Sequence, residues 1–458
     1  MDLKNQNNLI RRIVQKDATL WSKDPAEIKK IQNRLGWIDS IQTFDPKLVG
    51  IRAFVDTIDY NNIVLLGMGG SSLVSRVFDQ ATPNKVRNVF ILDTTDPATI
   101  LDVQNKINIQ DTLFIVASKS GTTIEVDSLF AYFFHLCPNP QQFIAITDFN
   151  TPLMHLARKL QFRHIFINPS DIGGRFSALS YFGLIPLALM GGDLLSFFEY
   201  ARNAVDTCIR ISDNPALELA EKIFSNHQAG RNKMFFDISS DYQALSLWIE
   251  QLVAESIGKQ GIGIIPILQG KPSDDSMVVN IGVSCIEDLA KEFYQWEMAT
   301  ALLGAMLEIN PFDEPNVVSS KKNTTTYLES SDACEQIRHK IHQISQPIFN
   351  TPLFLKEIQP PELIFVLSYL SNTHPIQNLI QHSSVSVSVC TGPSYLHSTG
   401  QLHKGGPNQG RFIIVVDAQE DLKIPGKPYG FQTLKLAQAL GDYEALKKSD
   451  RKVILVTI

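Results

Sequence analysis

Five short, largely apolar runs, each stopping at a small or polar residue, constrain this chain more than any other feature. They cover 63–66 ending at Gly67, 89–92 ending at Asp93, 112–117 ending at Ser118, 143–147 ending at Asp148, and 164–167 ending at Asn168. Runs this short and this apolar read as strands buried on both faces. Helix-length segments separate most of them, and that alternation predicts a parallel α/β sheet with right-handed crossovers. Ligands bind beyond the carboxyl ends of such strands, so chemistry is expected at the residues that stop the runs.

The rest of the chain divides around this unit. Residues 1–50 read as polar and helical, with Trp21 and Trp37 as docking anchors, and 182–227 as largely helical. Further strands are expected at 234–236, 262–268 and 278–283, with a helix over 289–307. Beyond a Pro-rich boundary at 352–361, strands are expected at 363–367, 385–389, 412–416 and 453–457. At roughly 100–200 residues per domain, 458 residues fit this division. The expected units are a helical segment at 1–50, α/β units at 51–210 and 211–352, and a C-terminal α/β region at 353–458.

Composition narrows the partners. Hydrophobic residues make up 44%, enough for more than one core. The 41 basic residues against 47 acidic give a net charge of -6, which offers no bulk attraction to nucleic acid or anionic membranes. An anionic ligand must therefore be held by a local cluster of cations. No apolar stretch follows Arg11 and Arg12, and the most apolar window carries Pro186, Gly191, Gly192 and Asp193. A secretory leader and a membrane span are thus not expected. The five scattered cysteines show no C-x-x-C pair and fit reduced thiols in a cytoplasm. His339 and His342, three apart in a polar stretch, read as a solvated helix face, so no metal is expected.

Six motifs carry the candidate chemistry. Gly67-Met68-Gly69-Gly70-Ser71-Ser72 follows a strand and lets the backbone approach a ligand closely. It fits a structural turn as well as a ligand loop. As a dinucleotide fingerprint, with Asp93 on the ribose, it lacks its third glycine. Ser118-Lys119-Ser120-Gly121-Thr122-Thr123-Ile124-Glu125 sets four hydroxyls and a lysine at the start of a helix. Ordinary capping needs one hydroxyl, so this stretch points to a phosphate. It is not a Walker A loop, which argues against a nucleoside triphosphate. Arg175 lies in Ile172-Gly173-Gly174-Arg175-Phe176-Ser177 and suits an oxyanion or a surface ion pair equally. Glu255, in Ala254-Glu255-Ser256-Ile257-Gly258-Lys259, is a candidate general base, although a lone glutamate on a helix is more often structural. The last two are Asn310 through Val317 with Lys321 beyond, and the loop Tyr395 to Pro407 with His397, His403 and Lys404.

In order, these stretches resemble the phosphoglucose isomerase family, built from two sugar-isomerase (SIS) domains. The pattern is most similar to the isomerase part of bifunctional transaldolase/phosphoglucose isomerases, with GMGGSS, SKSGTTIE, IGGRFSALS, AESIGK, NPFDEPNV and LHSTGQLHKGGP matching as a set. The resemblance implies two three-layer α/β/α domains with parallel sheets and a C-terminal α/β extension. It implies interconversion of glucose 6-phosphate and fructose 6-phosphate through a cis-enediol, in a cytoplasmic homodimer with no cofactor or metal. It assigns Gly70 and Ser71 to the loop beside the substrate, and Ser118, Lys119, Ser120 and Thr123, with Glu125, to binding the sugar phosphate. Arg175 is expected near the enediolate oxygens, Glu255 as the base, and Lys321 as the lysine of ring opening.

Two departures stand out. Glu314 takes the place where many relatives have glutamine, so it is expected to turn away from an anionic substrate or to be protonated. Relatives with one function carry the ring-opening histidine between the base and the lysine, but no histidine lies between Glu255 and Lys321. The C-terminal loop is expected to supply it, through His403 ahead of His397, with Lys404 sharing the role of Lys321. Lys119, Arg175, Lys259, Lys321 and Lys404 are then expected to make one positive pocket. Competing readings are an isomerase acting also on mannose 6-phosphate, a non-catalytic SIS sensor of sugar phosphates, and a Rossmann oxidoreductase.

Overall fold

The computed structural model describes residues 3–458 apart from 211, 331, 348–350, 357, 372–375, 377–382 and 384. The five runs become β1 (Asn62–Gly67), β2 (Asn88–Leu92), β3 (Thr112–Ala117), β4 (Phe143–Asp148) and β5 (His164–Asn168). They form one parallel sheet in the order β2-β1-β3-β4-β5. The uniform hydrophobicity of the runs has a direct cause. Ile63 and Leu65 of β1 pack with Leu113 and Ile115 of β3 in one core, while Val64 and Leu66 pack with Phe114 and Val116 in another. Successive side chains point to opposite faces, and helices cover both. The strand order reverses between β1 and β3, whose ends are level, with Gly67 opposite Ala117. The glycine-rich loop after β1 and the hydroxyl-rich loop after β3 therefore emerge side by side at the switch point.

The later strands are grouped differently from the expected boundaries. β6 (Lys233–Asp237), β7 (Ile265–Ile267) and β8 (Ser276–Asn280) make a small parallel sheet with β6 in the centre. The second five-stranded sheet runs β11-β10-β12-β13-β9. Its strands are β9 (Gln346–Pro347), β10 (Leu363–Ser368), β11 (Val387–Thr391), β12 (Gly410–Val416) and β13 (Lys452–Thr457). Four of the five lie within 353–458, so that region is a parallel α/β layer of its own, and the 211–352 stretch lends it only β9. The Pro-rich stretch thus lies inside the unit, between its edge strand β9 and the interior strand β10. Among the described residues, no helix is long and apolar enough to cross a membrane.

One helix ties the two large sheets together. Phe431–Lys448 is buried over most of its length, and Lys435, Gln438 and Asp442 fall on one stripe of it. Lys435 reaches Asp96, past the end of β2, at 2.9 Å and Asp417, past the end of β12, at 2.6 Å. Gln438 accepts from Thr95 Oγ1 at 2.9 Å and donates to Glu125 at 2.6 Å. Asp442 accepts from Tyr395 and Ser320, each at 2.9 Å. Burial pushes the Asp96 carboxyl up, but the Lys435 charge outweighs it and holds the pKa below its ordinary value. Lys435→Met leaves two carboxylates without their cation. It should lower unfolding stability by about 3–5 kcal/mol, read from the denaturant midpoint at constant m. An unchanged midpoint would show that the bridge holds nothing together.

Candidate active site

A cleft opens at the carboxyl ends of β1, β3 and β4, walled by the glycine-rich loop, the Lys119 loop, the Arg175 turn and the end of the helix Leu245–Ile257. Two glycines make the walls fit. Gly69 sits at φ +55, and a Cβ there would lie 2.6 Å from the His397 carbonyl oxygen. A Cβ on Gly70 would lie 2.0 Å from the Gly174 carbonyl oxygen. The loop after β1 thus meets both the Arg175 turn and the C-terminal loop at backbone contact.

Arg175 is the centre of the electrostatics. Its Nε donates to Ser256 Oγ at 2.9 Å, and its Nη2 donates to the carbonyls of Pro311 and Asp313 at 2.8 and 3.0 Å. Its Nη1 lies 3.0 Å from Glu255 Oε1 and donates to Glu314 Oε2 at 3.1 Å. Glu255 also accepts from Gln251, one helical turn back, at 3.1 Å. Burial pushes the Glu255 carboxyl up, and Arg175 offsets this only in part, so its pKa stays raised. For Glu314 burial acts in the same sense, but the Arg175 charge and hydrogen bond win, and its pKa is lowered. Of the two expectations for Glu314, protonation is not met: it pairs with Arg175 as a carboxylate. Lys259 lies behind this wall. It bonds Asn310 O, Asp313 O and Asp313 Oδ1, each at 2.5 Å, and so clamps the 310–314 loop. Burial lowers its pKa to about 8.

The hydroxyl-rich loop forms the opposite wall. Ser118 Oγ and Thr123 Oγ1 are 2.9 Å apart, and Gly121 N donates to Ser118 at 3.1 Å. Thr123 holds the N-cap position of the helix Ile124–Leu136 without capping it through its side chain, which departs from ordinary capping. Lys119 pairs with Asp148 and donates to Ser170 O at 3.0 Å. Ser120, Thr123, Lys119, Gly70, Ser71 and Lys321 all line the cleft. Shared residues, among them Lys321 and His397, join it to a side chamber that Glu125 and Lys404 also line.

The histidine expectation is corrected. His403 is 2% exposed and packs against Phe365, Phe412 and Tyr395, with ring centroids 4.7, 5.3 and 5.7 Å away. The short helix Gly400–Gly405 turns it into the core of the second sheet. Neither ring nitrogen has a hydrogen-bond partner, and burial pushes its pKa well below the ordinary value. His397 takes the cleft position instead, with Nε2 2.9 Å from Glu125 Oε1. Lys404 is held by Asp442 at 2.5 Å with its side chain 1% exposed, so it is anchored in the chamber wall. The single positive pocket is also revised. Lys119 and Arg175 face carboxylates and Lys259 lies behind the wall. Lys321 and Arg34, both lining the cleft, form no ion pair among the described residues.

A model of the phosphoglucose isomerase family matches residues 39–263, the stretch that holds Gly70, Lys119, Arg175 and Glu255. The chain is also 24% identical to a glucose-6-phosphate isomerase of Methanocaldococcus jannaschii over 356 residues, covering 73% of this chain and 88% of that protein. Over about half of its length the chain is thus similar to the phosphoglucose isomerase family. It is 34% identical to the glucose-6-phosphate isomerase of Campylobacter jejuni over 227 residues, 47% of this chain and 55% of that protein. The match therefore spans little more than half of the Campylobacter protein. A solved glucose-6-phosphate isomerase from Chlamydia trachomatis shares the fold, with a TM-score of 0.57 at 17% identity over 74% of this chain and 88% of that one. The motifs around Glu314, Lys321 and His397 lie outside the stretch that the phosphoglucose isomerase model matches.

Two cleft residues escaped sequence reasoning. Arg34 lies in a polar helical region with no local signal. Gln251 was detectable, because a residue four before Glu255 on a helix shares its face. The N-terminal segment proves to be a backing. Trp37 stacks on Phe176 at 5.2 Å and Trp21 meets Phe312 edge-on at 4.8 Å, directly behind Arg175 and the 310–314 loop. Gly70→Ala should force the two loops apart and destabilise the protein by about 1–3 kcal/mol, seen as a lower Tm. Gly174→Ala, whose Cβ meets nothing within 4 Å, is the control and should leave Tm near wild type. Equal behaviour of the two would refute the close approach.

Proposed function

We propose that this cleft interconverts glucose 6-phosphate and fructose 6-phosphate through a cis-enediol. The observation that carries the reading is Glu255, a carboxyl of raised pKa beside a buried guanidinium, facing a loop of hydroxyls at a helix N-terminus. Moving a carbonyl between neighbouring carbons requires one proton to leave one carbon and reach the next. A single carboxylate between them does both, and a pKa raised toward neutrality makes it a better base. Arg175 keeps its charge and meets the negative charge that develops on the oxygens. Hydroxyls of Ser120 and Thr123, the free amides of the first helical turn, and the cation Arg34 would hold the phosphate. That remote anchor fixes the reacting carbons against Glu255.

The closed ring must open first. The His397–Glu125 pair supports an acid/base role there: the carboxylate orients the imidazole, and the ring lies on the cleft wall. Lys321, on the same wall and outside any ion pair among the described residues, is the partner lysine rather than Lys404. The compartment we infer is cytoplasmic. A homodimer is inferred from the family resemblance alone.

A coupled assay with fructose 6-phosphate tests the activity, and scoring mannose 6-phosphate alongside glucose 6-phosphate tests its range. Glu255→Gln should cut kcat by about 10²–10⁴-fold while 6-phosphogluconate still binds. Because the base must be ionised, kcat/KM in the wild type should fall as pH drops through the raised Glu255 pKa. That limb should lie above the ordinary glutamate value of about 4.3. Near-normal turnover of the variant removes the base assignment. His397→Ala should impair closed-ring substrate more than open-chain substrate, and His403→Leu should impair neither. Equal losses on both substrates in the His397 variant would assign that residue a structural role.

A further inference from the structure

Three of the five N–H groups of Arg175 are engaged with fixed protein atoms: one with Ser256 Oγ and two with the carbonyls of Pro311 and Asp313. Those partners belong to the frame of the cleft, and the Asp313 carbonyl is itself held by Lys259. Only Nη1 remains to meet charge arising in the cleft. Glu314 already accepts from it, at 3.1 Å. The two carboxylates on Nη1 differ in freedom. The Glu314 side chain is 38% exposed, that of Glu255 15%, and that of Arg175 4%. Glu314 is the partner that can swing into water while the backbone before it stays clamped.

We propose that Glu314 is a placeholder for the negative charge of the reaction: its carboxylate holds Nη1 and yields it to the substrate oxygens as they become anionic. The proposal rests on the isomerase reading and deepens it. It explains how a guanidinium this deeply buried is never left without a counter-charge, which would be strongly destabilising. It also keeps Nη1 aimed at the reacting atoms before they arrive. A stable anion at that position must compete with Glu314, so the residue sets which ligands bind tightly. Glu314 acts through Arg175 and is a positioning residue.

The test compares two ligands with the same phosphate and carbon chain. 6-Phosphogluconate carries a carboxylate at C1, and glucitol 6-phosphate carries an alcohol. In Glu314→Gln and Glu314→Ala, 6-phosphogluconate should bind about tenfold tighter or more, as expected for an uncontested charge-assisted bond. Glucitol 6-phosphate should bind as it does to the wild type. A crystal structure of the wild-type complex with 6-phosphogluconate should show its C1 carboxylate on Nη1 and Glu314 turned to solvent. Affinities that shift in parallel, or a complex in which Glu314 keeps Nη1, overturn the placeholder and leave the isomerase reading standing. A wild type that binds neither ligand overturns both.

Discussion

A buried guanidinium must have its donors met, and that requirement organises the cleft around Arg175. To satisfy it, a turn after β5, the end of the helix carrying Glu255, and the 310–314 loop must converge on one side chain. Each brings something the chemistry needs. The helix brings Glu255, the proposed base, with Gln251 beneath it, and the loop brings Glu314. The aromatic backing of Trp37, Phe176, Phe312 and Trp21 keeps water from the rear of the group and gives the N-terminal segment its place. Burial of the arginine and elevation of the Glu255 pKa are two results of the same desolvated setting.

The second constraint is the join between the sheets. The first sheet supplies the hydroxyl loop, and the loop following β11 supplies His397. They face each other because the stripe of Lys435, Gln438 and Asp442 bonds to residues from both. The histidine, its carboxylate Glu125, and Gln438 form one continuous network, so the orientation of His397 depends on a helix far along the chain. The cleft is assembled from pieces more than 300 residues apart, and backbone contact at Gly69 and Gly70 sets their spacing.

Legibility of the sequence followed the range of the forces involved. β1 to β5 were readable because both faces of each strand are buried, which leaves unbroken apolar runs. The loops after β1 and β3 were readable because close approach demands glycine and because four hydroxyls exceed what a helix cap needs. Glu255 and Arg175 were weak alone and acquired weight from the family pattern. The choice between His397 and His403 was not local. Both lie in one polar loop, and the packing of Phe365 and Phe412 decides which is sealed away. The same holds for Arg34, for the pairing of Glu314 with Arg175, and for the strand grouping beyond 346, where a two-residue edge strand precedes the Pro-rich stretch.

The central claim is that a protein carboxylate moves a proton between adjacent carbons. The most direct measurement is conversion of fructose 6-phosphate in D2O, with the product read by NMR. The proton held by Glu255 can exchange with the solvent of the cleft, so the account predicts deuterium at C2 of the glucose 6-phosphate formed. Deuterated product formed by Glu255→Gln at the wild-type rate would contradict the role assigned to Glu255.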